Sequence, residues 1–325
     1  MASPKTTALA RSSSRSVSAP EFHRLAAMPP EAEWLLNITN ERTRRAYKNH
    51  VGEFIAFFRL KGFDELRTIT RAHVIRWRDE LKSKEPAQSA ATIRAKISAL
   101  SSLFGYLSEK NAVTHNPVKG VKRPTEGSNE GKTPAISDSQ ARKLLEIPSR
   151  DTLKGKRDHA MISTFLHHGL RREELSRLNV NDIIHPRGVP HLRVRGKRDK
   201  VRNVELHPAT AEAIHVYLEA AGHADDTKGP LFRPLRNNTT KVFRKHLHTQ
   251  SIAAMLHGYA VQAGIDPEAF SAHALRVTAA TKAHENGADL RHLQEWLGHA
   301  SPQTTGLYIR RRYKPEDSPT FKTNY

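Results

Sequence analysis

The chain has 325 residues, 37% hydrophobic and 26% charged, at a mean hydropathy of −0.63. No apolar run approaches the ~18–20 residues that a membrane-spanning helix needs. Against 33 Asp+Glu stand 53 Lys+Arg, a net charge of +20 and a pI near 10.3, which points to a polyanionic partner, nucleic acid before acidic membrane. The complete lack of cysteine excludes disulfides, thiolate catalysis and Cys-based zinc sites, and fits a reducing, cytoplasmic setting.

Residues 1–30 are rich in Ser, Ala, Pro and Arg and carry no apolar period, so they read as a disordered basic arm. Lys5, Arg11 and Arg15 without an acid before position 21 also suit an organellar transit peptide, although no amphipathic stripe is sustained. Residues 31–118 read as a helical module. Tyr47, Val51, Phe54, Ile55 and Phe58 make one apolar stripe; Val74, Trp77 and Leu81 follow Thr70 as N-cap; Ile93, Ile97, Leu100, Phe104 and Leu107 make a third. Between the stripes lie Arg42, Arg44, Arg45, Lys48, Arg76, Arg78, Arg94 and Lys96, candidate DNA contacts on a basic outer face. Residues 41–125 hold 18 Lys+Arg and 8 Asp+Glu, half of the chain's excess charge.

The Pro- and Gly-rich stretch 119–134 reads as a linker. Residues 135–316 form a second, mixed domain before a tail at 317–325. Helices are expected over 137–145, 157–168, 171–178, 208–221, 240–264, 274–285 and 289–297. The alternation in HLRVRGKRDKVRNVEL (191–206) predicts a β-hairpin. The fold class is therefore mainly α with a small β-sheet.

Four segments carry the candidate chemistry: GLRREEL (169–175), RGKRDK (195–200), HALR (273–276) and LGHASPQTTGLY (297–308). The nineteen histidines include no HExxH or other ligand spacing, so no metal site is expected. Arg171 stands at an expected helix N-terminus, where anions are favoured. His273 and Arg276 lie one turn apart on the same face. Gly298 reads as the stop of an amphipathic helix, with His299 just beyond it.

In order and spacing these segments resemble the catalytic boxes of the tyrosine recombinases, the phage-integrase and Xer-like group. Position by position the resemblance assigns Arg171, Lys197, His273, Arg276, His299 and the nucleophile Tyr308, nine residues after His299, with Glu174 as an acidic support. Val277-Thr278-Ala279 departs from the His-Thr-Phe that many relatives carry after the second arginine. Lys200 competes with Lys197 in the same turn, and Tyr313 and Tyr325 lack the spacing of Tyr308. The resemblance implies a helical SAM-like core-binding domain and a mixed α/β catalytic domain, closing as a clamp on double-stranded DNA. It also implies a homotetramer on synapsed sites (monomer or dimer when free), accessory DNA-bending proteins, association with the nucleoid, and no cofactor. A type IB topoisomerase or hairpin-forming resolvase would use the same residues, but the helical N-terminal module and the short segment after Tyr308 favour recombination.

The residue types suit that chemistry. Two guanidiniums can grip the non-bridging oxygens of a phosphodiester and hold the charge that builds there during attack. A phenol with an intrinsic pKa near ~10 needs such a cationic pocket or a base to become nucleophilic. Lys197 is expected to protonate the leaving 5′-oxygen, His273 to act as base or proton shuttle, and His299 to donate a hydrogen bond to the phosphate.

Overall fold

The computed structural model describes residues 20, 27–125, 133–196, 200–235, 242–299 and 305–306. The chain divides into two compact units, residues 1–127 and 128–325.

The first unit is helical: α1 (Pro30–Asn37), α2 (Glu41–Phe58), a 3-10 turn (Phe63–Thr68), α3 (Arg71–Ser83) and α4 (Ala90–Glu109). Local chemistry sets each start. The Asn40 side chain accepts the Thr43 N–H at 3.1 Å, His73 reaches back to the Thr70 N–H at 3.1 Å, and Ser89 Oγ accepts the Thr92 N–H at 3.1 Å. The three expected stripes converge on one core, in which Phe54 and Trp77 meet edge-to-face at 5.1 Å. Each ring contributes roughly 1.5–3 kcal/mol by leaving water.

Two features differ from expectation. Helix α1 begins at Pro30, a residue preorganised for a first helical position. Its Trp34 is buried and donates to Ser102 Oγ at 3.1 Å, so ordered structure starts before the first stripe. The core also runs past the expected boundary at 118, since Val121 is buried in it with Val118. Most of the expected arm, 1–19 and 21–26, lies outside the described residues, as does 126–132 of the linker.

The second unit opens with α5 (Asp138–Glu146) and α6 (Leu153–His168), followed by the short α7 (Arg172–Ser176). A three-stranded antiparallel sheet follows, in the order β1 (Ile183–Ile184), β2 (His191–Arg195), β3 (Val201–Glu205). Arg195 pairs with Val201, and the Gly196 N–H donates to the Lys200 carbonyl at 2.8 Å at the mouth of the hairpin. Helices α8 (Pro208–Ala221), α9 (Thr249–Gln262), α10 (Ala272–Glu285) and α11 (Leu290–Leu297) complete it. Helix α6 is buried along most of its length and packs against α8 and α10, with Ile162 and Phe165 fully enclosed.

The expected helix 240–264 is shorter: α9 starts at Thr249, capped by His248. Just before it, the Phe243 and Leu247 N–H groups donate to the Pro234 and Phe232 carbonyls, which holds that segment out of a helix. The expected helix 171–178 is likewise confined to 172–176. No helix among the described residues is long and apolar enough to cross a membrane.

Candidate active site

Helix α6 stops at Gly169, whose φ of +56° is a left-handed conformation that glycine adopts without penalty. The chain then turns through Leu170 into Arg171, the N-cap residue of α7. One turn on, the Glu174 carboxylate reaches back, accepting the Arg171 backbone N–H at 2.8 Å and its Nη1 at 2.7 Å. From β3, Arg202 grips the same carboxylate with both terminal nitrogens, Nη1 to Oε1 at 3.1 Å and Nη2 to Oε2 at 2.9 Å. Arg276 Nη1 comes within 4.0 Å of Oε2.

Glu174 is 5% exposed, and burial alone would raise its pKa. The bonds and charges of Arg202 and Arg171 more than offset that and hold it at about 2. It is a buried anion made tolerable by cations on either side.

Arg276 projects from α10 into the interior and is 1% exposed. Its Nη1 donates to the Gly169 carbonyl and its Nη2 to the Leu297 carbonyl, so one guanidinium joins the ends of α6 and α11. Nη2 also lies 2.9 Å from His299 Nε2. An arginine only donates, so Nε2 is the acceptor, and the proton sits on Nδ1, 3.0 Å from Thr305 Oγ1. Burial, then the charges of Arg276, Arg171 and Arg202, push the His299 pKa down to about 3. In this DNA-free arrangement the neutral ring accepts from Arg276 and directs its N–H at Thr305.

His273 lies in the first turn of α10, after the capping Ser271, whose Oγ accepts its backbone N–H at 3.2 Å. Partial burial lowers its pKa, followed by the charges of Arg276 and Arg171. The ring is thus neutral near pH 7, as a base requires. Three widely separated segments, around Arg171–Glu174, Arg276 and His299, are therefore brought together through the Glu174 carboxylate and the Arg276 guanidinium. Lys197 and Tyr308 lie outside the described residues, as do Tyr313 and Tyr325; Lys200 is described and exposed. Among the described residues no group of three or more His, Asp or Glu side chains could hold a metal ion.

Arg202 was not among the expected site residues. Its signal lay in the strand alternation: Val204 is the inward residue of β3, so Arg202, two before it, faces the same way. A charged residue at an inward strand position calls for a partner. Thr305, fully buried beneath His299, was missed as well.

In the first unit, Arg42, Arg45, Lys48, Arg76 and Arg94 are exposed. Arg44 instead bonds the Ile38 carbonyl at the end of α1 (2.9 and 2.7 Å), and Arg78 bonds Asp79 and the Lys122 carbonyl. Lys96 departs from the expected basic face. It is 4% exposed and ion-paired with Glu53, so it belongs to the interior of the module rather than to its surface.

Residues 135–314 match the model of the phage integrase family, and residues 35–111 match that of the phage integrase N-terminal SAM-like domain. The chain belongs to this family and is a tyrosine-type site-specific recombinase. Among its relatives, tyrosine recombinase XerD of Listeria monocytogenes is 30% identical over 270 residues, covering 82% of this chain and 86% of that protein. Tyrosine recombinase XerC of Pelobacter propionicus is 33% identical over 278 residues, covering 82% and 83%. The fold matches a lambda integrase dimer bound to a COC′ core site with a TM-score of 0.64 at 17% identity, covering 91% of this chain and 96% of that one. XerH site-specific recombinase bound to palindromic difH substrate gives 0.62 at 22% identity, covering 82% and 75%.

Proposed function

We propose that this recombinase breaks and rejoins double-stranded DNA through a 3′-phosphotyrosyl intermediate formed by Tyr308, without metal or ATP. The observation that carries the reading is the convergence of Arg171 and Arg276 on the buried Glu174, with His299 bonded in turn to Arg276. Arg171 keeps a third of its side chain exposed beside that carboxylate, so it can still receive a phosphate.

In the cleavage step the Tyr308 oxygen bonds to phosphorus as the bond from phosphorus to the 5′-oxygen breaks. Arg171 and Arg276 offset the charge on the non-bridging oxygens. His273 takes the phenolic proton, and Lys197 gives one to the departing 5′-oxygen. The phosphotyrosyl ester retains the phosphodiester's energy, so a 5′-hydroxyl from a second duplex can reverse the step with no external energy source. His299 acts by buttressing Arg276. The exposed Arg42, Arg45, Lys48, Arg76 and Arg94 supply backbone contacts to the duplex. Two duplexes and four protomers make the exchange reciprocal, as in the lambda integrase tetramer bound to a Holliday junction.

Sequencing DNA trapped covalently on the purified protein identifies the site and the attacked strand, and a nicked suicide duplex built on that site then tests the nucleophile. Tyr308→Phe should bind the duplex normally and form no adduct. An adduct that survives in Tyr308→Phe and vanishes in Tyr313→Phe would sink the assignment.

A further inference from the structure

We propose that Arg202 is a positioning residue of the recombination reaction, compensating the charge of Glu174 so that Arg171 is held in place yet stays cationic toward the phosphate. The inference rests on the reading that Arg171 and Arg276 bind the scissile phosphate.

Arg171 and Arg202 share one acceptor, Glu174 Oε1, at 2.7 and 3.1 Å. Arg202 additionally takes Oε2, and its Nε donates to the Trp296 carbonyl at 2.9 Å, next to the Leu297–His299 turn. A single guanidinium thus links the hairpin, the Arg171 segment and the His299 turn. The packing is close: a Cβ placed on Gly298 would meet Arg202 at 3.2 Å, and one on Gly196 would meet Glu174 at 3.7 Å.

The charges decide what this does. With His299 neutral and Glu174 ionised, the three guanidiniums leave these groups a formal charge of +2; without Arg202 it is +1, and the carboxylate draws on Arg171 and, at 4.0 Å, on Arg276, the two cations meant for the phosphate. Because Glu174 is buried and Arg202 nearly so, solvent screens little of that difference.

The test compares single-turnover adduct formation on two suicide duplexes, one with the natural scissile phosphodiester and one with a methylphosphonate there, which is uncharged. Arg202→Gln should be slowed about 10²-fold on the phosphodiester and less than about 10-fold on the methylphosphonate. Adding Glu174→Gln to Arg202→Gln removes the unopposed carboxylate and should recover about 10-fold on the phosphodiester. Equal slowing on both substrates, or a double variant no faster than Arg202→Gln, overturns the proposal, since either outcome reduces Arg202 to a packing role. Should Arg202→Gln fail to fold, the double variant still decides: its pocket charge equals the wild type's, so its loss should be alike on both substrates, and a loss confined to the phosphodiester overturns charge compensation. Arg171→Ala is the control. Its loss must also shrink on the methylphosphonate; if it does not, the phosphate-binding reading fails and takes this inference with it. Shrinkage for Arg171→Ala but not for Arg202→Gln overturns the inference alone.

Discussion

In the helical unit, Lys96 is the one buried charged side chain among the described residues. The catalytic unit buries Arg157, Asp158, Glu174, Asp182, Arg233 and Arg276, together with His159, His168, His223 and His299. The first interior is held by apolar stripes and keeps its cations on the surface or, for Lys96, against Glu53. The second holds its charges in networks. Asp158 takes Arg157, Lys154 and the Tyr259 hydroxyl, and Asp182 takes Arg193 and Arg195. Glu174 takes Arg171 and Arg202. Buried ion pairs gain little net stability over apolar packing. The Glu174 network, which holds Arg171 and Arg202, is therefore better explained by a need to fix cations before the substrate phosphate arrives.

The largest break in that comparison should come from Arg276. Replacing it with alanine leaves the Gly169 and Leu297 carbonyls and the His299 Nε2 without their donor. The catalytic unit should lose about 2–4 kcal/mol of stability, read by urea unfolding. Adduct formation should fall by about 10³-fold or more. Arg276→Lys keeps the charge but has no planar fork to serve three acceptors, so it should rescue little. Full cleavage loss with unchanged stability would show that Arg276 serves the phosphate alone and does not tie the two helix ends together.

Acid separates the units next. His168 is 1% exposed, its Nδ1 bonded to the Thr164 carbonyl and its Nε2 accepting the His207 N–H. Burial holds its pKa at about 4. Its folded pKa lies below its unfolded value of 6.5, so the unfolded chain binds more protons between the two, and stability falls as pH drops from 6.5 towards 4. His167, also at about 4, and His299, at about 3, add to the effect. Glu174 does not enter until the pH passes below its ordinary value of 4.5. Between pH 6.5 and 4.5 the catalytic unit should lose roughly 2 kcal/mol for each of His167, His168 and His299, measured by thermal melting. His168→Gln should flatten that slope; an unaltered slope would mean that other groups carry it.

Much of this was legible in the sequence, and for physical reasons. Periodicity revealed the stripes around Phe54, Trp77 and Ile97, because one-sided burial imposes it. The boxes around Arg171, His273, Arg276 and His299 were visible because the chemistry restricts residue type and spacing. What stayed hidden depended on contacts distant in sequence. Strand alternation gives the direction of Arg202 but not the carboxylate 28 residues earlier that receives it. The tautomer of His299 follows from Arg276 and Thr305, neither of which the local sequence identifies as its neighbour. Lys96 is a different kind of miss. It lies three residues after Ile93 and four before Leu100, so helical geometry already placed it on the buried face, and its charge was given too much weight.

That miss yields the finest test of the comparison. If the surface cations of the helical unit meet DNA phosphates, each releases condensed counterions on binding. The plot of log affinity against log salt should then flatten by about one unit for each contact removed. Arg45→Ala and Arg76→Ala should each show that change and weaken binding similarly on specific and unrelated duplexes, because phosphate contacts carry no sequence information. Lys96→Met removes the same formal charge from a position sealed against Glu53, and Glu53 is then left to water, to which it is half open. The salt slope should therefore stay at the wild-type value, with only a small change in melting temperature. A slope that flattened equally for Lys96→Met would mean that net charge, rather than where a cation sits, governs binding. The division between a buried and a DNA-facing cation would then fail.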